Sequence, residues 1–189
     1  MLAILHCSLT MAFESVLPAF SAERLTGDAG GFGPMLIGVG AGSLVASVAV
    51  SGIRTSQGRG KTLLAMALLS GVGQVLLSLT ATLALAIAAA ALMGGAQAAF
   101  MTMAQATTQS IAADEFRGRV ASINTFSLGG AMAIMNLTNG SIAAYIGAHN
   151  ILLIDGIIFL VAALLGLLLV SGRTAYGRSP ISETALGAI

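Results

Sequence analysis

Charge is the scarcest commodity in this chain. Only 8% of its 189 residues are Asp, Glu, Lys or Arg, against about a quarter in an ordinary soluble domain. With 57% hydrophobic residues and a mean hydropathy of +0.96, no apolar stretch keeps the charged face that a helix at a water boundary carries. A soluble domain is therefore excluded. Trp is absent and Tyr occurs only at Tyr145 and Tyr176, so any aromatic belt at a membrane interface is weak. Cys7 is alone, which rules out an internal disulfide and a cysteine metal cluster. The net charge of +1 gives no reason to expect a nucleic-acid partner. No basic residue precedes the first apolar run, which contains Glu14 and Pro18, so no cleavable signal peptide is expected. No Ser-His-Asp order, metal-spaced His set or phosphate loop is present, and neither catalysis, metal nor cofactor is expected. Gly38-Val-Gly40-Ala-Gly42 follows no strand, so it is no dinucleotide fingerprint.

What the chain does have is six long apolar stretches, roughly residues 2–23, 32–53, 62–80, 83–109, 119–146 and 151–170. About 20 apolar residues in a helix cross a hydrocarbon core of about 30 Å. The expected fold class is thus an all-α polytopic membrane protein of six transmembrane helices, domain 1–172, with a tail over 173–189. Seven of the eight Lys and Arg residues fall at alternate breaks: Arg54, Arg59 and Lys61, then Arg117 and Arg119, then Arg173 and Arg178. Only Arg24 departs from the pattern. Basic residues stay on the cytoplasmic side, so both termini are expected there. The breaks at 23–30, 80–82 and 147–150 then face outward. Short turns imply an antiparallel bundle, with Gly38, Gly40, Gly42, Gly71, Gly73, Gly94, Gly95, Gly129 and Gly130 letting helix backbones approach closely.

Polar residues inside these stretches are the candidate site. Glu14 lies a little past the middle of the first, where an unpaired carboxylate costs about 3 kcal/mol. On a continuous helix it shares a face with Cys7, Thr10, Pro18 and Ser21. It is a candidate proton-coupling residue or a ligand for a cationic substrate; the competing reading is a carboxyl bonded to a neighbouring helix or resting among headgroups. In the fourth stretch Gln97, Gln105, Thr108 and Gln109 share one sector, and in the fifth Asn124, Ser127, Thr138 and Asn139 do, with Asn136 at the edge. Gln97, Gln105 and Asn136 are the candidate pathway residues beside Glu14; interhelical hydrogen bonding is the alternative. Asp155 and His6, near the ends of their stretches, are expected to stay hydrated at the interfaces.

Four segments resemble the second half of a major facilitator superfamily transporter, spans seven to twelve, in the enterobactin-exporter-like branch of bacterial efflux permeases. They are Ser15-Val-Leu-Pro18-Ala-Phe; Gly31-Phe-Gly33-Pro-Met-Leu-Ile-Gly38-Val-Gly40-Ala-Gly42; Met103-Ala-Gln105-Ala-Thr-Thr-Gln109 with Arg117-Gly118-Arg119-Val; and Leu128-Gly129-Gly130. Two departures stand out. Thr55 occupies a position where the superfamily's loop motif has Asp, and Ala-Met-Ala-Ile-Met follows Gly130 where Pro or Gly is usual. The resemblance implies half of a twelve-span machine, with the first and fourth spans on the cavity wall. It further implies proton-coupled efflux of a small amphipathic or siderophore-like molecule across a bacterial inner membrane. Arg59, Lys61, Arg117 and Arg119 would belong to the cytoplasmic gate. The expected partners are the lipid bilayer, a small-molecule substrate, and an N-terminal half or a second copy; a truncated or non-transporting membrane scaffold is the alternative.

Overall fold

The computed structural model describes residues 2–25, 29–53 and 55–168; the tail 173–189, with Arg173 and Arg178, and Arg54 lie outside the described residues. Among the described residues seven helices follow in order: α1 (Leu2–Leu9), α2 (Leu17–Arg24), α3 (Phe32–Val50), α4 (Ser56–Leu79), α5 (Leu83–Ile111), α6 (Arg117–Ile146) and α7 (Ala148–Leu168). Short 3-10 turns at Ala29–Gly31 and Asp114–Phe116 precede α3 and α6. Helices α3 to α7 are each long and apolar enough to cross a membrane.

The first apolar stretch differs from expectation. It is not one helix but two of 8 residues each, separated by turns over residues 10–16. Pro18 accounts for this. Inside a continuous helix its ring would collide with the Glu14 carbonyl and leave that carbonyl without a donor. In the first turn of α2 the missing N–H costs nothing. Thr10 assists by turning its hydroxyl back onto the His6 carbonyl at 2.8 Å, an acceptor that also receives the Thr10 and Met11 amides. The shared face drawn from Cys7 through Glu14 to Ser21 therefore does not form.

Helix α5 is the centre of the bundle, packed between α3 and α4, while α4 also packs on α7, and α1 rests on α6 and α7. Glycine sets the α3–α5 and α4–α5 distances. A Cβ at Gly42 would overlap the Ala91 carbonyl, one at Gly94 would come 2.7 Å from the Val39 carbonyl, and one at Gly73 would come 2.9 Å from Met93 Cα. Such approach supplies the dispersion contacts that lipid offers no other drive to make. Gly38, Gly71 and Gly95 are equally crowded, whereas Gly40, Gly129 and Gly130 face nothing within 4 Å. Those three set no close helix approach among the described residues. With no Pro after Gly130, α6 runs unbroken for 30 residues.

Two apolar clusters fill the bundle. One gathers Phe13, Leu17, Met35, Leu77, Met93 and Leu152; the other gathers Leu9, Ala67, Ala99, Phe100 and Phe159. Between them stand buried polar residues on α4, α5 and α7 and at the start of the break: Ser70 and Gln74, Gln97, Asp155, and Thr10. The bundle is thus a polar layer held between two apolar ones.

At one end, Gly147 ends α6 at φ +85°, a conformation that favours glycine. The Glu23 carboxylate then accepts the Ala148 amide at 3.0 and 3.2 Å, capping α7 and tying α2 to the α6–α7 turn. Glu23 and Ala148 come from two breaks that the charge pattern assigns to the same face.

Candidate functional site

Unwinding residues 10–16 strips backbone groups of their in-helix partners. In apolar surroundings each such group costs several kcal/mol unless another donor or acceptor reaches it. Three amide side chains from three helices do so. Gln74 on α4 donates to the Leu9 carbonyl at 3.1 Å and to the Leu152 carbonyl of α7 at 3.3 Å. Gln97 on α5 donates to the Thr10 carbonyl at 2.6 Å. Asn136 on α6 accepts the Ser15 amide at 3.3 Å. Gln74 and Gln97 are buried, and the Gln74 carbonyl oxygen has no partner among the described residues.

Two of the four candidate pathway residues, Gln97 and Asn136, therefore bond the broken segment that carries a third, Glu14. Glu14 lies in the break itself and is exposed on the surface of the bundle; Gln97 and Asn136 brace the backbone on either side of it. Gln105 does not join them. It is exposed and lines a cavity of about 60 Å³ between α5 and α6 with Thr108, Gln109, Asn124 and Thr125. A larger cavity of about 220 Å³ adjoins it, shared by Leu2, Phe100, Thr107, Thr108, Asn124 and Leu128. The two polar sectors foreseen on α5 and α6 thus face one another at this end, through Thr108 and Asn124. Ser127 and Thr138 of the α6 sector are exposed.

Gln74 is a site residue that periodicity alone does not flag. Its signal is a lone amide in the middle of an apolar stretch, a group that must find a partner. Two other residues behave differently from expectation. Asp155 is buried and accepts the Asn139 amide at 2.7 Å, so it is an internal partner rather than a hydrated interfacial group. His6 is fully buried, with Nε2 3.0 Å from Ser70 Oγ and its ring stacked on Phe100 at 4.0 Å between centroids. Both corrections share one cause: the carboxyl and the imidazole sit on faces that neighbouring helices cover.

The basic turns are anchored locally. Thr55, in the position of the family's Asp, caps α4 by accepting the Gly58 amide at 3.2 Å, which keeps the hydrogen bond and drops the charge. Arg59 is half-buried and donates from Nε to the Ile53 carbonyl at 3.3 Å; Lys61 is exposed. Arg117 pairs with Asp114 at 2.9 Å, but both are exposed, and such surface pairs contribute little. Arg119 is exposed as well.

The family model of the Major Facilitator Superfamily matches residues 2–187. The chain belongs to the Major Facilitator Superfamily. It is accordingly a membrane protein of a transporter family, all-α, with lipid around it and a small molecule as its cargo class. A search of curated proteins found no match, and neither did a search of solved structures. A break in a membrane helix, braced by amides, is a known way for transporter folds to place non-helical backbone at membrane depth, where it borders protein or a water-filled cavity.

Proposed function

We propose that the chain is the C-terminal half of a proton-coupled superfamily exporter, moving a small amphipathic or siderophore-like molecule out across a bacterial inner membrane. In this reading the first apolar stretch crosses as a discontinuous span, making six crossings with both ends cytoplasmic. Glu14 carries the proton, and Gln97, Asn136 and Gln105 line the path. The convergence of Glu14, Gln97 and Asn136 on unwound backbone is the observation that carries the proposal. A carboxylate in a helix break can trade its proton with water in a cavity, and its neutralisation changes the electrostatics of the braced carbonyls beside it. Arg59, Lys61, Arg117 and Arg119 contribute to the inner gate. Outward direction and the substrate class rest on the resemblance to the exporter branch.

The partner follows from burial. About half of α5's membrane stretch is buried within the chain, against 6% of α6's. Yet α6 carries Ser122, Thr125, Ser127, Thr138 and Ser141 on its exposed surface. Ser122, Thr138 and Ser141 bond their own helix carbonyls, so the partner rests on the low burial of α6: a second six-helix bundle, an N-terminal half or another copy of this chain, covers α6 and closes the cavity.

The test is flux in proteoliposomes holding the full chain, with and without a co-reconstituted N-terminal half. A pH gradient should drive movement of a fluorescent amphipathic cation, and Glu14→Gln should abolish the gradient dependence while leaving membrane insertion intact. A Glu14→Gln protein that moves the dye with unchanged pH dependence contradicts the coupling role. Absence of any gradient-driven flux in either assembly favours a non-transporting scaffold.

A further inference from the structure

One cluster plays no part in the proposed pathway. The Cys7 thiol of α1 lies 3.8 Å from the Met11 thioether in the break and 3.7 Å from the Met101 thioether on α5. The thiol has one proton, so it can donate to only one of them at a time. At least one thioether beside the thiol is therefore left without that proton. Cys7 is buried while Met11 and Met101 are half-buried, which leaves an approach from the methionine side.

The geometry points to a binding site for a soft monovalent cation, Cu(I) or Ag(I), formed by Cys7, Met11 and Met101. Three metal–sulfur bonds of about 2.3 Å arranged at 120° hold their sulfurs about 4.0 Å apart, close to the two spacings from Cys7 to the methionines. Each methionine has three rotatable bonds, so the remaining adjustment is small and local. Ligand chemistry selects the ion. Thiolate and thioether are the soft donors that favour Cu(I), whereas zinc sites draw on Cys, His and carboxylates. No group of three such residues converges among the described residues. Charge selects it again. As the metal–thiolate bond forms, the thiol proton leaves to solvent, and one monovalent cation on one thiolate leaves a neutral complex in a low-dielectric setting. A divalent ion would leave a net positive charge there. Occupancy would pin the end of α1 and the start of the break to α5. This site does not depend on the transport reading.

The experiment is anaerobic titration of the purified full chain with Cu(I) against a coloured Cu(I) chelator, combined with X-ray absorption at the copper edge. The wild-type chain should hold one Cu(I), with three sulfur neighbours and no nitrogen or oxygen. Cys7→Ala should remove stoichiometric binding. Met101→Leu and Met11→Leu should each weaken it by about tenfold or more and lower the sulfur count, while Met132→Leu, elsewhere on α6, should bind like wild type. A wild-type chain that yields all its copper to the chelator overturns the site. So does an absorption spectrum showing nitrogen or oxygen ligands, a reading that needs no variant to fold. Unchanged binding in both Met101→Leu and Met11→Leu also overturns it.

Discussion

Replacing Gln97 by Leu isolates the brace on the broken span. The two side chains are similar in volume, so little cavity forms, and the change removes one donor, 2.6 Å from the Thr10 carbonyl. Both residues are buried, so water does not replace the lost amide. An orphaned buried acceptor costs about 1–3 kcal/mol. Interhelical hydrogen bonds in membranes average only about 0.6 kcal/mol, with a maximum near 1.7, because the unfolded chain in lipid finds other partners. That competition is strong here: if residues 10–16 rewind into a helix, the Thr10 carbonyl regains the amide four residues on. We therefore expect about 0.6 kcal/mol of destabilisation, near the membrane average, which is roughly a threefold shift in the folding equilibrium. Denaturation of the purified chain by sodium dodecyl sulfate in mixed micelles, followed by circular dichroism, measures it. Gln97→Ala should cost more because it adds a cavity. If Gln97→Leu is as stable as wild type, the amide is not what supports the break, and the account of the polar layer is wrong.

The same assay reaches the other contacts. Gln74→Leu should destabilise more than Gln97→Leu, since it removes the donor to the Leu9 carbonyl and also the tie to the Leu152 carbonyl of α7; a smaller effect would show that the two bonds are not both made. Gly42→Ala should cost about 1–3 kcal/mol through overpacking, because its Cβ meets the Ala91 carbonyl, whereas Gly129→Ala, with open space around it, should be neutral within the chain. Equal effects at the two glycines would contradict the α3–α5 crossing. Glu23→Ala should cost about 1 kcal/mol by uncapping α7, and hydrogen exchange should quicken at the Ala148 amide; unchanged exchange would mean the cap is not formed. Asp155→Leu should destabilise by about 1–3 kcal/mol by leaving the Asn139 amide unpaired, with Asn139→Leu/Asp155→Leu together less harmful than the single change. A double variant worse than Asp155→Leu would show that the pair is not coupled.

Helix positions and their apolar character were legible because the hydrocarbon core imposes length and composition directly. Helices α3 to α7 fall where runs of apolar residues end at Gly, Thr or charged turns, and Glu23 meets Ala148 across two breaks that charge counting places on one face. The break at 10–16 was hidden from hydropathy, since Met11, Ala12, Phe13 and Val16 are as apolar as their neighbours. Pro18 was the local clue, and it acts nine residues after the end of α1. Glu14, Gln97 and Asn136 stood out singly as polar groups in lipid, but their meeting depends on which faces three helices turn to one another, which no single-stretch pattern specifies. Gln105 illustrates the limit: it shares a sector with Gln97 on an ideal helix, yet it lies two turns further along and faces α6. His6 and Asp155 looked interfacial by depth alone, while their burial is decided by Phe100, Phe159 and Asn139 from other helices.

The central claim is that the unwound segment places Glu14 in water at membrane depth, within a transport path rather than against lipid. A cysteine placed at Glu14 in a Cys7→Ser background, in sealed membranes, should react quickly with a membrane-impermeant thiol reagent, as a cysteine at lipid-facing Ile37 should not. If the cysteine at position 14 stays as silent as the one at Ile37, Glu14 faces lipid and the pathway does not run through the break.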